Sequence, residues 1–178
     1  MSSVEATGRV PPIIAVVGSS ESGKTTLIEA LVSNLRSHGY RVATIKHATR
    51  ELSFDRPYKD SWRHIRAGSE ATLVVSVGQV VLIKPILGEV TLEEAVRFLG
   101  PDYDVILAEG FKRSDVPKIK VCKELEEDSV SDLTNLIAVV SSRAVESKVR
   151  VFSPSEVNRL TDFLEEMFLK TEKGAKDR

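Results

Sequence analysis

"GSSESGKTT", Gly18 to Thr26, decides the fold. Directly before it stands "IIAVV" (13–17), a short run without a polar residue, which reads as a strand buried on both faces. Directly after it, Leu27, Ile28, Leu31, Val32 and Leu35 recur at helical spacing, and Gly39 falls where such a helix ends. The loop between them matches G-x-x-x-x-G-K-[ST] through Gly18, Gly23, Lys24 and Thr25. From average residue usage, a chance match in a chain this long is on the order of one in a hundred. The strand–loop–helix setting lowers that further. Gly18 and Gly23 permit backbone shapes and close approaches that a Cβ obstructs. Around them Ser19, Ser20, Glu21, Ser22 and Thr26 complete a loop whose backbone N–H groups are expected to point inward, toward the start of a helix with its positive dipole. Lys24 offers a point charge to β- and γ-phosphates, and the Thr25 hydroxyl offers an oxygen to Mg²⁺. The stretch therefore predicts a nucleoside-triphosphate site.

Working outward, "YRVATIK" (40–46) reads as a second strand, which closes a βαβ unit with a right-handed crossover. Residues 47–60 lack periodicity and read as an active-site loop. A short helix through "SWRHIRAG" ends at Gly68, and "ATLVVS" and "VVLIK" around Val77-Gly78-Gln79 suggest an antiparallel hairpin. Thr91 with Glu94 opens a helix through Leu99, and 103–110, 118–123 and 136–141 are further strands. Ser153, Pro154 and Glu156 fit N-cap, N1 and N3 of a last helix with a stripe of Val157, Leu160, Phe163, Leu164, Met167 and Phe168. The expected fold class is α/β: a P-loop NTPase with a mostly parallel sheet flanked by helices, and an antiparallel hairpin besides. One nucleotide-binding domain is expected over 1–178, with 1–12 a loose lead-in and 171–178 a frayed tail.

Composition excludes other classes. The chain has 178 residues, 42% of them hydrophobic and 29% charged, with a formal net charge of −1. That balance gives no reason to expect nucleic acid or an anionic membrane as partner. One cysteine, Cys122, excludes an internal disulfide and a cysteine-based zinc cluster; in "KIKVCKE" it reads as a small packed side chain. No apolar run approaches the roughly 18 residues of a membrane span and no secretory leader opens the chain, so a cytoplasmic protein is expected. Ser19, where one class of dimerising ATPases has a lysine, argues against that class.

A P-loop needs a carboxylate at the end of a neighbouring strand to position hydrated Mg²⁺. Glu109, after the apolar run Val105 to Ala108, is the candidate, whereas Asp104 falls at the opposite strand end. Gly110 is placed to bring backbone near the γ-phosphate. Asp55, Lys59, Asp60 and Ser61 are the polar candidates of the irregular loop. Lys46 and His47 end a strand on the catalytic edge. Lys112, Arg113, Lys118 and Lys120 form a basic cluster after Glu109, read either as a solvated face or as a second anion site.

"GSSESGKTTLIEALV", "GYRVATIKH", "DRPYKDSWRHIRAG" and "LAEGFKRSDVPKIKV", in this order between Ile13 and Ser141, together resemble the MobB family of molybdopterin-guanine dinucleotide biosynthesis adapter proteins. The resemblance implies a GTP-binding protein with weak Mg²⁺-dependent GTPase activity, homodimeric, assisting the molybdopterin guanylyltransferase in making a molybdenum or tungsten cofactor. Carried onto this chain, Gly23, Lys24, Thr25 and Thr26 hold phosphates and Mg²⁺. Lys24, Asp60 and Glu109 serve hydrolysis, with Thr25, Asp60 and Glu109 near the metal. Lys112 and Arg113 become candidates for contact with a molybdopterin-type ligand. "KHATRELSF" lacks the further histidines that members often carry after Lys-His, so no role is transferred on their account. No [NT]-K-x-D supplies a guanine-reading Asp; base selectivity would fall to other groups, such as those around Ser141 to Arg143. The residues by themselves leave ATP open, and with it the alternative of a small-molecule kinase in which Arg56, Arg63, Arg66 and Arg113 close as a lid. A metal-inserting GTPase ranks third, for want of a His- or Cys-rich stretch.

Overall fold

The computed structural model describes residues 10–48, 55–122 and 133–170. Strand β1 (Ile13–Val17) is buried over its last four residues, as a run without a polar face requires. It is paired in parallel on both sides. On one side lies β5 (Val105–Glu109), with Val16 opposite Glu109; on the other lies β6 (Lys118–Cys122), with Val17 opposite Lys120. Beyond β5 comes β2 (Val42–Lys46), and beyond β6 come β7 (Leu136–Ser141) and β8 (Arg150–Phe152). The order β2-β5-β1-β6-β7-β8 is parallel at every pairing. The chain leaves β1 toward β2 on one side and later crosses to β6 on the other. Such a switch point opens a crevice at the carboxyl ends of the central strands.

Strand alternation sorts the core onto two faces. On one face Ile14, Val16, Val105, Leu107, Ile119, Val121, Ala138 and Val140 meet helix α1 (Lys24–Ser37), through Leu27, Ile28, Leu31 and Leu35. The same face takes α4 (Val157–Leu164), through Leu160 and Leu164. On the other face Ala43, Ile106 and Ala108 meet Leu92 and Val96 of α3 (Leu92–Leu99). Full burial of one such Leu contributes about 2 kcal/mol.

The terminal helix keeps the predicted stripe except at Met167: Leu160 and Leu164 are buried, and Val157, Phe163 and Phe168 pack against the core. Ser153 caps it as expected: its hydroxyl accepts from the Ser155 N–H, and the Glu156 carboxylate accepts from the Ser153 N–H at 2.8 Å. Pro154–Glu156 forms a 3₁₀ turn, α4 follows, and Glu165–Leu169 widens into a π-turn. The wider turn places the next buried anchor five residues after Leu164, at Leu169, and leaves Met167 exposed. Glu165, also buried, hydrogen-bonds His38 at the C-terminal end of α1.

The chain divides into two compact units, Met1–His47 with Leu92–Arg178, and Ala48–Thr91. The second unit contains α2 (Asp60–Arg66) and a hairpin of β3 (Thr72–Ser76) and β4 (Gln79–Ile83). Ser76 faces Gln79, so the turn is the two residues Val77-Gly78, with Gly78 at φ 75°, one residue shorter than expected. Among the described residues of this unit none is buried. Of the irregular loop expected over 47–60, residues 49–54 lie outside the described residues, as do 1–9 of the lead-in and the tail from 171.

Candidate nucleotide site

The loop after β1 takes a shape only its glycines allow. A Cβ on Gly18 would stand 2.3 Å from the Val121 carbonyl oxygen and 2.7 Å from the Ser22 hydroxyl. Gly23 caps α1 at φ 101°, in the left-handed region. No side chain caps this helix, and its first turn holds no acidic residue. Its leading N–H groups are therefore left for an external acceptor, with the helix dipole behind them. The Lys24 ammonium folds back onto the Ser19 carbonyl at 2.5 Å, over the loop. The Ser22 hydroxyl is buried without a hydrogen-bond partner. Ser19, Ser20, Glu21, Thr25 and Thr26 are exposed, so the loop is open to an external ligand. An anion is the ligand that satisfies its donors together.

Glu109 closes the site from β5. Alternation puts Val105, Leu107 and Glu109 on the α1 face, so the carboxylate emerges at the strand end beside the start of α1. The Thr25 hydroxyl donates to Glu109 Oε2 at 3.0 Å. Lys46, opposite Glu109 in the β2–β5 register, approaches Oε1 at 3.3 Å. Asp104 lies at the other end of β5, as expected, where it accepts from the Arg41 backbone N–H at 2.8 Å and from its guanidinium at 3.0 and 3.2 Å. Gly110 continues from the end of β5 and is held to β1. Its N–H donates to the Val16 carbonyl at 3.0 Å. A Cβ there would come within 3.1 Å of His47 Cβ. The glycine admits a neighbouring strand end; its N–H is committed to the sheet. The His47 ring packs on Phe111 at 4.8 Å between centroids.

The paired oxygens of Thr25 and Glu109 are hard ligands of the kind Mg²⁺ prefers. Among the described residues no group of three His, Cys, Asp or Glu gathers. An ion held here would take its remaining ligands from phosphate and water, as Mg²⁺ commonly does. The residues present fit the group.

The other candidates separate. Asp60 opens α2 in the second unit and pairs with Arg63 at 3.7 Å. Lys112 and Arg113 are exposed in the turn after β5. Lys118 and Lys120, grouped with them by sequence, are buried. Lys118 is 0% exposed, and its ammonium donates to the carbonyls of Ser114 (2.5 Å), Thr134 (2.9 Å) and Val116 (3.1 Å). Burial holds its pKa below the usual lysine value. The basic cluster thus reduces to two surface residues. Cys122 is buried as expected, and burial raises its thiol pKa. The Ser141 hydroxyl accepts from the Arg143 N–H at 3.2 Å. Of the kinase-lid arginines, Arg63 pairs with Asp60 and Arg66 lies over the Trp62 ring at 5.6 Å.

The parallel sheet with its switch point, and the glycine loop running from β1 into α1, define a P-loop fold. A family model described as "MobB: Molybdopterin guanine dinucleotide synthesis protein B" matches residues 13–142. The molybdopterin-guanine dinucleotide biosynthesis adapter protein of Escherichia coli is 32% identical over 166 residues, 89% of this chain and 94% of that protein. The protein of the same name from Haemophilus influenzae is 29% identical over 156 residues, 86% and 88% of the two chains. Among solved structures, a MobB protein homolog from Bacillus stearothermophilus superposes with a TM-score of 0.69 at 28% identity, covering 90% of this chain and 99% of that one. A molybdopterin-guanine biosynthesis protein B superposes at 0.72 and 30% identity, covering 87% and 97%. The chain belongs to the MobB family. Among the described residues no helix is long and apolar enough to cross a membrane.

Proposed function

We propose that this chain, by family an adapter of molybdopterin guanine dinucleotide biosynthesis, binds GTP with Mg²⁺ on the Gly18–Thr26 loop and hydrolyses it slowly. The observation that carries the reading is the Thr25 hydroxyl 3.0 Å from the Glu109 carboxylate, beside a helix start that no side chain caps. Lys24 and the loop N–H groups hold the phosphates and offset the charge that develops on them. Thr25 and Glu109 would hold the ion, which when bound would supply stabilisation of the phosphate charge. Asp60 is a further acidic candidate, from the second unit. What supports guanine over adenine is the family's product, a guanine dinucleotide, and no motif of the chain reads the base separately.

The partners in this reading are a molybdopterin guanylyltransferase, a molybdopterin-type ligand met by Lys112 and Arg113, and a second copy of the chain, all in the cytoplasm. The second copy has a surface to meet: Leu73, Val75, Val80 and Leu82 share one face of the hairpin, all of them exposed.

The test is calorimetric titration with non-hydrolysable GTP and ATP analogues in Mg²⁺, on the wild type and on Lys24→Ala. GTP binding that the variant loses by tenfold or more, with weak ATP binding, is expected. A preference for ATP overturns the guanine reading and favours a kinase, and binding unaffected by Lys24→Ala removes the site.

A further inference from the structure

We propose that Lys46 is a positioning residue of the nucleotide site: its ammonium neutralises Glu109 whenever no divalent ion does, so that phosphate can enter beside a carboxylate. This rests on the triphosphate–Mg²⁺ reading above and concerns how the site tolerates the metal-free state.

The register carries the placement. Val42 packs on the α1 face of β2, while Ala43 and Ile45 pack on the α3 face, so Lys46 emerges on the α1 side. Its partner across the β2–β5 pairing is Glu109. The two carboxylate oxygens are engaged separately, Oε2 by the Thr25 hydroxyl at 3.0 Å and Oε1 by the Lys46 ammonium at 3.3 Å. The enclosure is uneven: the Glu109 side chain is 15% exposed and that of Lys46 62%.

A largely enclosed carboxylate beside a phosphate loop is a liability. Its repulsion of a polyphosphate is poorly screened where water is scarce. A bound divalent ion removes that repulsion, and so does an ammonium against one oxygen of the same carboxylate. Lys46 suits the second task, because a compact charge on a flexible, solvated stem can withdraw when an ion arrives. As a stability device the pair is worth little, since one partner is mostly in water. Its effect should therefore appear in ligand binding, and only when metal is lacking.

Calorimetric titration of GDP and a non-hydrolysable GTP analogue, in Mg²⁺ and in excess EDTA, tests this. The proteins are the wild type, Lys46→Met, Lys46→Arg and the double variant Lys46→Met/Glu109→Gln. Lys46→Met should lose roughly threefold to fivefold in metal-free affinity while its Mg²⁺-loaded affinity moves less than about twofold. Lys46→Arg should restore the metal-free affinity, and so should the double variant, because it no longer carries the repelling charge. Equal losses in both conditions mean that Lys46 touches the nucleotide itself, and overturn the proposal. No loss in either condition overturns it too. A wild type that binds neither nucleotide in either condition removes the nucleotide site, and this inference with it; the other failures leave that site standing.

Discussion

Lys118 occupies a strand position whose neighbours alternate between charge and hydrocarbon, and in sequence it looks like one of several cations turned to water. In the fold its ammonium is enclosed and shared among the carbonyls of Ser114, Val116 and Thr134. It joins the turn after β5 to the start of β7, where the β6–β7 register slips by one residue at Lys118/Ile119. Lys118→Met keeps the stem and removes the donor, leaving the carbonyls to find other partners. A loss of about 2–4 kcal/mol in urea unfolding is expected; an unchanged midpoint would show that the carbonyls are satisfied without the ammonium. Nothing in the sequence marks this lysine, because its shorter contacts go to backbone carbonyls that any residues could carry, and its side-chain acceptor, the Thr134 hydroxyl, is the most distant at 3.4 Å. Thr25 and Glu109 were legible for the opposite reason: the loop motif fixes one, and the end of an apolar run fixes the other. Lys46 could be placed on the catalytic edge, but its pairing with Glu109 depends on β2 lying next to β5, which no local pattern states.

Periodicity predicted the elements well wherever they run for four residues or more. It missed β8, whose three residues Arg150–Phe152 are too few to show alternation. It also chose Met167 over Leu169 as a buried position, since a π-turn is a break in the very period used to find the helix. The cap was legible, because Ser153, Pro154 and Glu156 are chemically specific to a helix start. The Glu156 carboxyl is held below the ordinary carboxylate range, first by the Ser153 N–H and further by Arg159. A depressed folded-state pKa contributes stability that is present above the unfolded value and lost as the pH falls through the folded one. Glu156→Gln can still accept the Ser153 N–H, but without the charge. The variant should thus be less stable than the wild type at neutral pH, and the gap should close in strong acid, as read from urea midpoints at the two pH values. A gap that is the same at both would assign the cap's contribution to shape alone.

At the scale of the molecule, the unit Ala48–Thr91 stands out because it carries much apolar surface and buries none of its described residues. A two-stranded hairpin is marginal by itself in water. If a second copy covers Leu73, Val75, Val80 and Leu82, light scattering should give the mass of two chains for the wild type. It should give one chain for Val75→Glu/Val80→Glu, with nucleotide binding kept; a wild-type monomer would refute that use of the surface. The sheet order has a different consequence, in time. The phosphate loop is synthesised before either of its supports, since Gly18 rests against the carbonyl of Val121 and Val16 is flanked by Glu109. Synthesis must run on through β5 and β6 before the loop acquires its floor and its carboxylate. A nascent chain thus carries the full loop motif before it has the two strands that give the loop its shape.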